Sequence, residues 1–187
     1  QNPELLTMKT LSNQELENVL RNSECLIDSG RINAAYDHLA AQLNLHYAGL
    51  NPLILVVMNG GLIPAGAIGY AIGVKAMGAM NVEFYTGVGQ TLDEPVVLPP
   101  LMDASELPGK RVLVVDDVAD SGKTLKMVMD LIAEHGLTLD GGASVRVDAR
   151  SAVVYKKPVS IIEPDYVWRH TSQWINFPWS TLPVIKP

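Results

Sequence analysis

The sequence has a single cysteine, Cys25. One thiol can build neither an internal disulfide nor a multi-cysteine metal site. Its expected place is the face of a helix, as a small apolar residue. No apolar run reaches the roughly 18 residues of a spanning helix, and no signal peptide is evident. A reducing cytoplasm is the expected compartment. Positive charge is also scarce. Fourteen Lys and Arg stand against twenty Asp and Glu, for a net charge of −6 and a pI of about 5.1. This excludes neither a local basic pocket nor an anionic ligand, but it argues against a general nucleic-acid binder. The chain opens on Gln1 without Met, which leaves its native N-terminus open.

What is present is the composition of a folded domain. The 187 residues are 48% hydrophobic and 18% charged, with no internal repeat or low-complexity tract. One domain is expected over 1–187, with a core over about 50–155. "SNQELENVLRNSECLIDSG" predicts a helix, with Ser12 and Glu15 at capping-box spacing and Gly30 at its end. A second helix is expected over Ala34–Leu45, with Ala35, Leu39 and Leu43 on one stripe. His38 and His46 lie there without further ligand types at metal spacing and read as surface residues.

"PLILVVMNGG" and "KRVLVVDD" are short, continuous apolar runs, the pattern of strands buried on both faces. "PAGAIGYAIG" and "SGKTLKMVMDLIAEHG" predict helices after them, and "MGAMNVEFY" and "ASVRVDARSAVVY" further strands. "TGVGQTLDEPVVLPP" reads as a long mobile loop with room for a short hairpin. "KKPVSIIEPDYVWRHTSQWINFPWS" reads as irregular and aromatic-rich. Alternating strands and helices imply an α/β fold, a parallel sheet with helices on both faces. Ligands of such folds sit at the carboxyl ends of the strands.

Two odd segments lie at those ends. Asp120-Ser121-Gly122-Lys123-Thr124 falls where a strand meets a helix start. Free backbone N–H groups, hydroxyls and a glycine there make a phosphate cradle. It is not a triphosphate P-loop, because that pattern requires glycine where Asp117 stands. Asp116 and Asp117 precede the cradle on opposite faces of the strand. Carboxylates accept hydrogen bonds from sugar hydroxyls and hold Mg²⁺ directly or through water. A phosphate with a diol nearby is a ribose 5-phosphate.

"VLVVDDVADSGKTL" resembles the signature of the type I phosphoribosyltransferases, which bind 5-phosphoribosyl-1-pyrophosphate. The resemblance runs from about Pro52 onward. It implies a parallel sheet flanked by helices, a flexible loop, and a small hood, here 156–187 with or without N-terminal residues. It implies that Asp116 and Asp117 hold the ribose hydroxyls and that Asp120 to Thr124 bind the 5-phosphate. Asp120 is then also the candidate catalytic group, exchanging a proton at the base N7. "MNGG" matches the pyrophosphate loop, through Asn59, Gly60 and Gly61, although many members have Arg or Lys in place of Asn59. Tyr85 and Thr86 fall in the flexible loop.

The tail, "YKKP" and "DYVWRHTSQWINFPW", is similar to the base-binding end of 6-oxopurine members, xanthine-guanine types above all. Lys157, beside Pro158, would donate to the oxygen at purine C6, with neighbouring Lys156 as the fallback. Trp174 would stack on the purine and Ile175 would offer backbone groups to its edge. Trp168 and Trp179 are expected to pack the hood. Ser180 stands where members often carry an acid.

The implied activity is transfer of the phosphoribosyl group to N9 of xanthine, guanine or hypoxanthine, in purine salvage. Mg²⁺ is the implied cofactor and a homo-oligomer, dimer or tetramer, the implied assembly. No nucleic-acid or membrane partner is expected. Lys75, Lys123, Lys156 and Lys157 are expected to make the pocket locally positive. The alternatives are a phosphoribosyltransferase for another base, and a non-catalytic regulator that binds the ribosyl donor.

Overall fold

The computed structural model describes residues 14, 24–25, 29–83, 86–87, 90–91, 96–97, 111–138 and 144–180. The expected first helix lies mostly outside them. Where that segment is described, Glu24–Cys25 form a short strand, β1, so Cys25 is on a strand rather than a helix face. Gly30 does not end a helix either. It lies in the first turn of α1, Ser29–Tyr47, which starts earlier and ends later than its apolar stripe alone predicts.

The centre of the fold is a six-stranded sheet. Its strands in chain order are β2 (Leu53–Met58), β3 (Met77–Glu83), β6 (Val96–Val97), β7 (Arg111–Ala119), β10 (Asp148–Lys156) and β11 (Tyr166–His170). They lie in the spatial order β11-β10-β7-β2-β3-β6. The first five of that order pair in parallel, and only the short β6 runs antiparallel, against the end of β3. The predicted parallel α/β sheet is therefore the observed one. Two-residue strands surround it. β4 (Thr86–Gly87) pairs with β5 (Gln90–Thr91) as the hairpin allowed for in the long loop. β8 (Leu137–Thr138) pairs with β9 (Ser144–Val145). The tail is less irregular than expected, since β11 joins the main sheet and β12 (Ile175–Asn176) pairs in parallel with β1.

The apolar runs are continuous because the sheet is covered twice. Along β7, Leu113 and Val115 face one core, while Val112 and Val114 face another. β2 divides in the same way, Ile54 and Val56 against Leu55 and Val57. The first core is closed by α1, through Ile32, Ala35, Leu39 and Leu43, and by α2 (Leu62–Ile72), through Ala65 and Ile68. The second is closed by α3 (Lys123–His135), whose Leu125, Val128 and Ile132 recur at helical spacing. Glycines stop both later helices, Gly73 at φ 72° after α2 and Gly136 at φ 71° after α3. Among the described residues no helix is long and apolar enough to cross a membrane.

His46 is not a plain surface residue. Its ring meets Tyr47 and Tyr166 edge-on, with centroids 5.1 and 6.2 Å apart. Trp168 and Trp179 pack as expected, Trp168 edge-on to Tyr155 and Trp179 stacked 4.7 Å from Phe177.

Leu113, the third residue of β7, is fully buried. Leu113→Ala is expected to lower stability by about 2–5 kcal/mol, read as a shift of the chemical denaturation midpoint at unchanged slope.

Candidate active site

β2, β7 and β10 run side by side in one direction, so the loops that follow them open on one sheet edge. Those loops are 59–61, 120–122 and 157–160. They bring together the two segments singled out in the sequence and the Lys-Pro segment of the tail.

β7 runs on to Ala119, so Asp116 and Asp117 lie within the strand rather than after it. The backbone N–H of Asp117 donates to Asp116 Oδ1 at 2.9 Å. Both carboxyls are partly buried, and neither has an ion-pair partner among the described residues. Burial, then the charge of Asp117, raises Asp116 well above the usual carboxylate value. Burial also raises Asp117, against the opposing pull of the Val118 N–H. The Asp117 charge in turn helps burial push the Tyr36 hydroxyl up to about 12. This is a carboxylate pair with backbone donors but no cation beside it among the described residues, a state in which a cation or ligand hydroxyls gain.

The cradle follows. Gly122 caps α3 in the left-handed region, at φ 74°. A Cβ there would strike Ser160 Oγ, with Ile161 N 3.1 Å away. The first bond into the helix runs from Lys126 N to Gly122 O at 2.9 Å. A glycine has no side chain with which to cap, the first-turn N–H groups have no acceptor within the helix, and Lys123 N makes a long 3.4 Å contact with Ser121 Oγ. A cleft of about 290 Å³ lies over this end, lined by Gly60, Asp116, Asp117, Asp120, Ser121 and Thr124 among others. The side chain of Lys123 is exposed and outside that lining.

The opposite wall is the 59–61 loop, which begins with a cis peptide between Met58 and Asn59. Its glycines are required by close approach. A Cβ on Gly60 would lie 2.5 Å from Asp117 Oδ1, and one on Gly61 would strike the backbone oxygen of Val115. Gly61 N donates to Val57 O at 2.9 Å, so that donor is spent inside the fold and is not free for a leaving group. Asn59 is exposed and does not line the cleft.

A second cavity, about 250 Å³, adjoins the first. It is lined by Asp117, Val118, Asp120, Lys157, Trp174, Ile175 and Phe177. Lys157 is buried, and its amine reaches Ser172 O at 3.5 Å. Lys156, one residue earlier at the end of β10, points away and pairs with Glu163 at 2.9 Å. Thr86 is described only through its backbone in β4, and Tyr85 lies outside the described residues. Val118 and Phe177 escaped the sequence reading. Phe177 had a signal, because period-two alternation carries Ile175 and Phe177 to the same buried side.

Lys75 does not contribute positive charge here. It lines a larger cavity of about 780 Å³, with Asn44 and Asn51, at the edge where β2 and β3 begin. The local positive field comes instead from Lys157 and the open end of α3.

Among the described residues no group of three or more His, Cys, Asp or Glu is placed to hold a metal ion. Asp116 and Asp117, a partly buried pair with no cation beside it among the described residues, are the carboxylates that would fit a cation.

A parallel α/β sheet with a helix N-terminus, an acid pair and an apolar pocket at one edge has the features suited to a ligand that carries a phosphate, a diol and a flat ring. The chain belongs to the phosphoribosyl transferase domain family, whose sequence model matches residues 23–183. It is 32% identical to a xanthine-guanine phosphoribosyltransferase of Gluconobacter oxydans (strain 621H) over 136 residues, covering 72% of this chain and 71% of that one. It is 28% identical to the enzyme of the same name from Ruegeria sp. (strain TM1040), with 72% of each chain covered. A purine phosphoribosyltransferase from Pyrococcus horikoshii Ot3 matches with a TM-score of 0.66 and 30% identity, over 89% of this chain and 99% of that one. The Helicobacter pylori xanthine-guanine-hypoxanthine phosphoribosyltransferase, at 19% identity and TM-score 0.65, shares the fold over 84% of this chain and 94% of its own.

The acid pair predicts a pH dependence. The folded protein keeps a proton on this pair at pH values where the unfolded chain has lost it. Stability therefore falls as pH rises from the ordinary 3.8 through the raised value, and the loss is complete above it. Asp116→Asn keeps an acceptor for the Asp117 N–H and cannot ionise. It is expected to melt a few degrees above the parent at pH 7.5, with the difference closing as pH approaches 4. Thermal melts across that range check it.

Proposed function

We propose that this protein transfers the 5-phosphoribosyl group from 5-phosphoribosyl-1-pyrophosphate to N9 of a 6-oxopurine, releasing pyrophosphate. The observation that carries this is the shared wall of the two cavities. Asp117, Val118 and Asp120 line both the phosphate-sugar cleft and the pocket of Lys157 and Trp174. A ribose in the first cleft then presents C1 to a base in the second. The names of the curated relatives support a purine as that base.

The displacement breaks the C1–oxygen bond to pyrophosphate, forms the C1–N9 bond, and leaves one base proton to be removed. In this reading the open end of α3, with Ser121 and Thr124, holds the 5-phosphate. Asp116 and Asp117 accept from the ribose hydroxyls, and binding there favours the ionised pair. Asp120, which lines both cavities, accepts the proton at N7. The Gly60 backbone lies against Asp117 and, in this reading, faces the departing pyrophosphate. Lys157 donates to the C6 oxygen, and Trp174 stacks on the ring. Holding C1 and N9 together in this way is the largest contribution expected from positioning. Mg²⁺, held through the acid pair and the donor's own oxygens, would neutralise the pyrophosphate charge.

The experiment is pyrophosphate release from the ribosyl donor with Mg²⁺ and, in turn, xanthine, guanine, hypoxanthine, adenine, uracil and orotate. Release is expected with 6-oxopurines alone. Release only with uracil or orotate would reassign the base. Donor binding without release for any base would favour a regulator. The stacking role has its own test. Trp174→Ala is expected to raise the KM for the base about tenfold or more, in line with the ~1–3 kcal/mol of base–aromatic stacking, and to move the donor KM less than about twofold. Equal rises in both would remove the stacking assignment.

A further inference from the structure

The two cavities are joined by more than a shared wall. β7 and β10 are paired up to Ala119 and Lys156, and the pairing does not stop where the strands stop. Lys157 N donates to Ala119 O at 3.0 Å, and Ile161 N donates to Ser121 O at 3.0 Å. The segment leaving β10 is thus tied at two points to the loop that forms the phosphate cradle. Between those ties it makes its own tight turn. Ser160 N donates to Lys157 O at 3.1 Å, and Ser160 Oγ donates to Ile162 O at 2.9 Å. Ser160 Oγ also fills the space over Gly122 where a Cβ would otherwise sit. On its outer side the segment is clipped back to β10 by the Lys156–Glu163 ion pair at 2.9 Å.

We infer that residues 157–163 are a strap through which occupation of the phosphate cradle sets the position of Lys157 in the base pocket, with Ser160 as its positioning residue. The inference rests on the phosphoribosyl reading above and adds to it a coupling between two subsites. Its physical basis is that the cradle and the strap share hydrogen bonds. A phosphate that draws the backbone of 120–122 into one arrangement fixes the acceptors Ala119 O and Ser121 O. Those acceptors hold both ends of the turn that carries Lys157. Ser160 lines neither cavity itself, but it packs against Gly122, which lines the first. It acts by filling the contact with Gly122, so that the cradle cannot shift without moving the turn. Lys156 has a role in the same device, as the clip that limits how far the turn can open.

Coupling is reciprocal and measurable as a ratio of affinities. The probes are ribose 5-phosphate for the cradle and guanine for the pocket, measured by calorimetry with the full chain. In the parent protein, saturating ribose 5-phosphate is expected to tighten guanine binding by about fivefold or more, the lower end of common site-to-site couplings. Ser160→Ala is expected to bring that ratio to less than about twofold while ribose 5-phosphate still binds. Glu163→Gln opens the clip on the exposed side and is expected to lower the ratio partway. It also keeps the test available if Ser160→Ala does not fold. An unchanged ratio in the folded variants would overturn the strap. So would a parent protein that binds both probes independently, and that result would leave the phosphoribosyl reading standing. A parent protein that binds neither probe would remove that reading, and the strap with it.

Discussion

Asp116 and Asp117 lie side by side in the central strand, partly buried, with no cation paired to either among the described residues. Desolvated carboxylates are unfavourable, and their raised proton affinity is the sign of it. The strand can hold them because the rest of it is apolar on both faces. Val112 to Val115 are fully buried, between the α1–α2 layer and α3. The core's stability offsets a local cost at the point where the ligand is to bind. The same arrangement explains the tight wall opposite. Gly60 and Gly61 are needed because Asp117 and the β7 backbone already occupy the space a side chain would take.

The remaining parts of the site follow from direction. Parallel strands deliver their loops to a single edge, so segments some sixty and forty residues apart in the chain meet without any long-range design beyond strand order. An α-helix begins after the three-residue turn 120–122 that follows β7, and its N-terminus, with no side-chain cap from Gly122, lies at the cleft. A glycine at the cap position serves two demands at once. It adopts the left-handed backbone and leaves room for Ser160 from the neighbouring loop. The site is thus built from backbone as much as from side chains. This is how an acidic chain can present a surface suited to anions.

Much of this was legible in the sequence. The continuous aliphatic runs at 53–57 and 112–115 read as strands covered on both sides, and they are. The 116–124 stretch carries its chemistry locally, because a strand end, an acid pair and a helix start are consecutive in the chain. The family that this stretch resembles is the one the chain belongs to. Gly136, directly after the helical pattern of 123–135, was a visible stop for the same local reason.

What the sequence left open depends on partners far away in the chain. Lys156 and Lys157 are neighbours with the same side chain. Only the register of β10 against β7 sends one to Glu163 and the other into the ring pocket. Lys75 is one more lysine until the strand direction places it at the far edge. Cys25 follows a helical pattern, yet its backbone pairs with β12 across 151 residues of chain. Local periodicity cannot report such a contact, because strand pairing draws its hydrogen bonds from another segment. The sequence by itself determined the strand and helix cores, the acid pair and the cradle, since these depend on neighbours within a few residues. The tertiary structure alone decided which lysine enters the pocket, which glycine donor is spent, and how the cradle is tied to the segment beside it, since each depends on which backbone lies next to which.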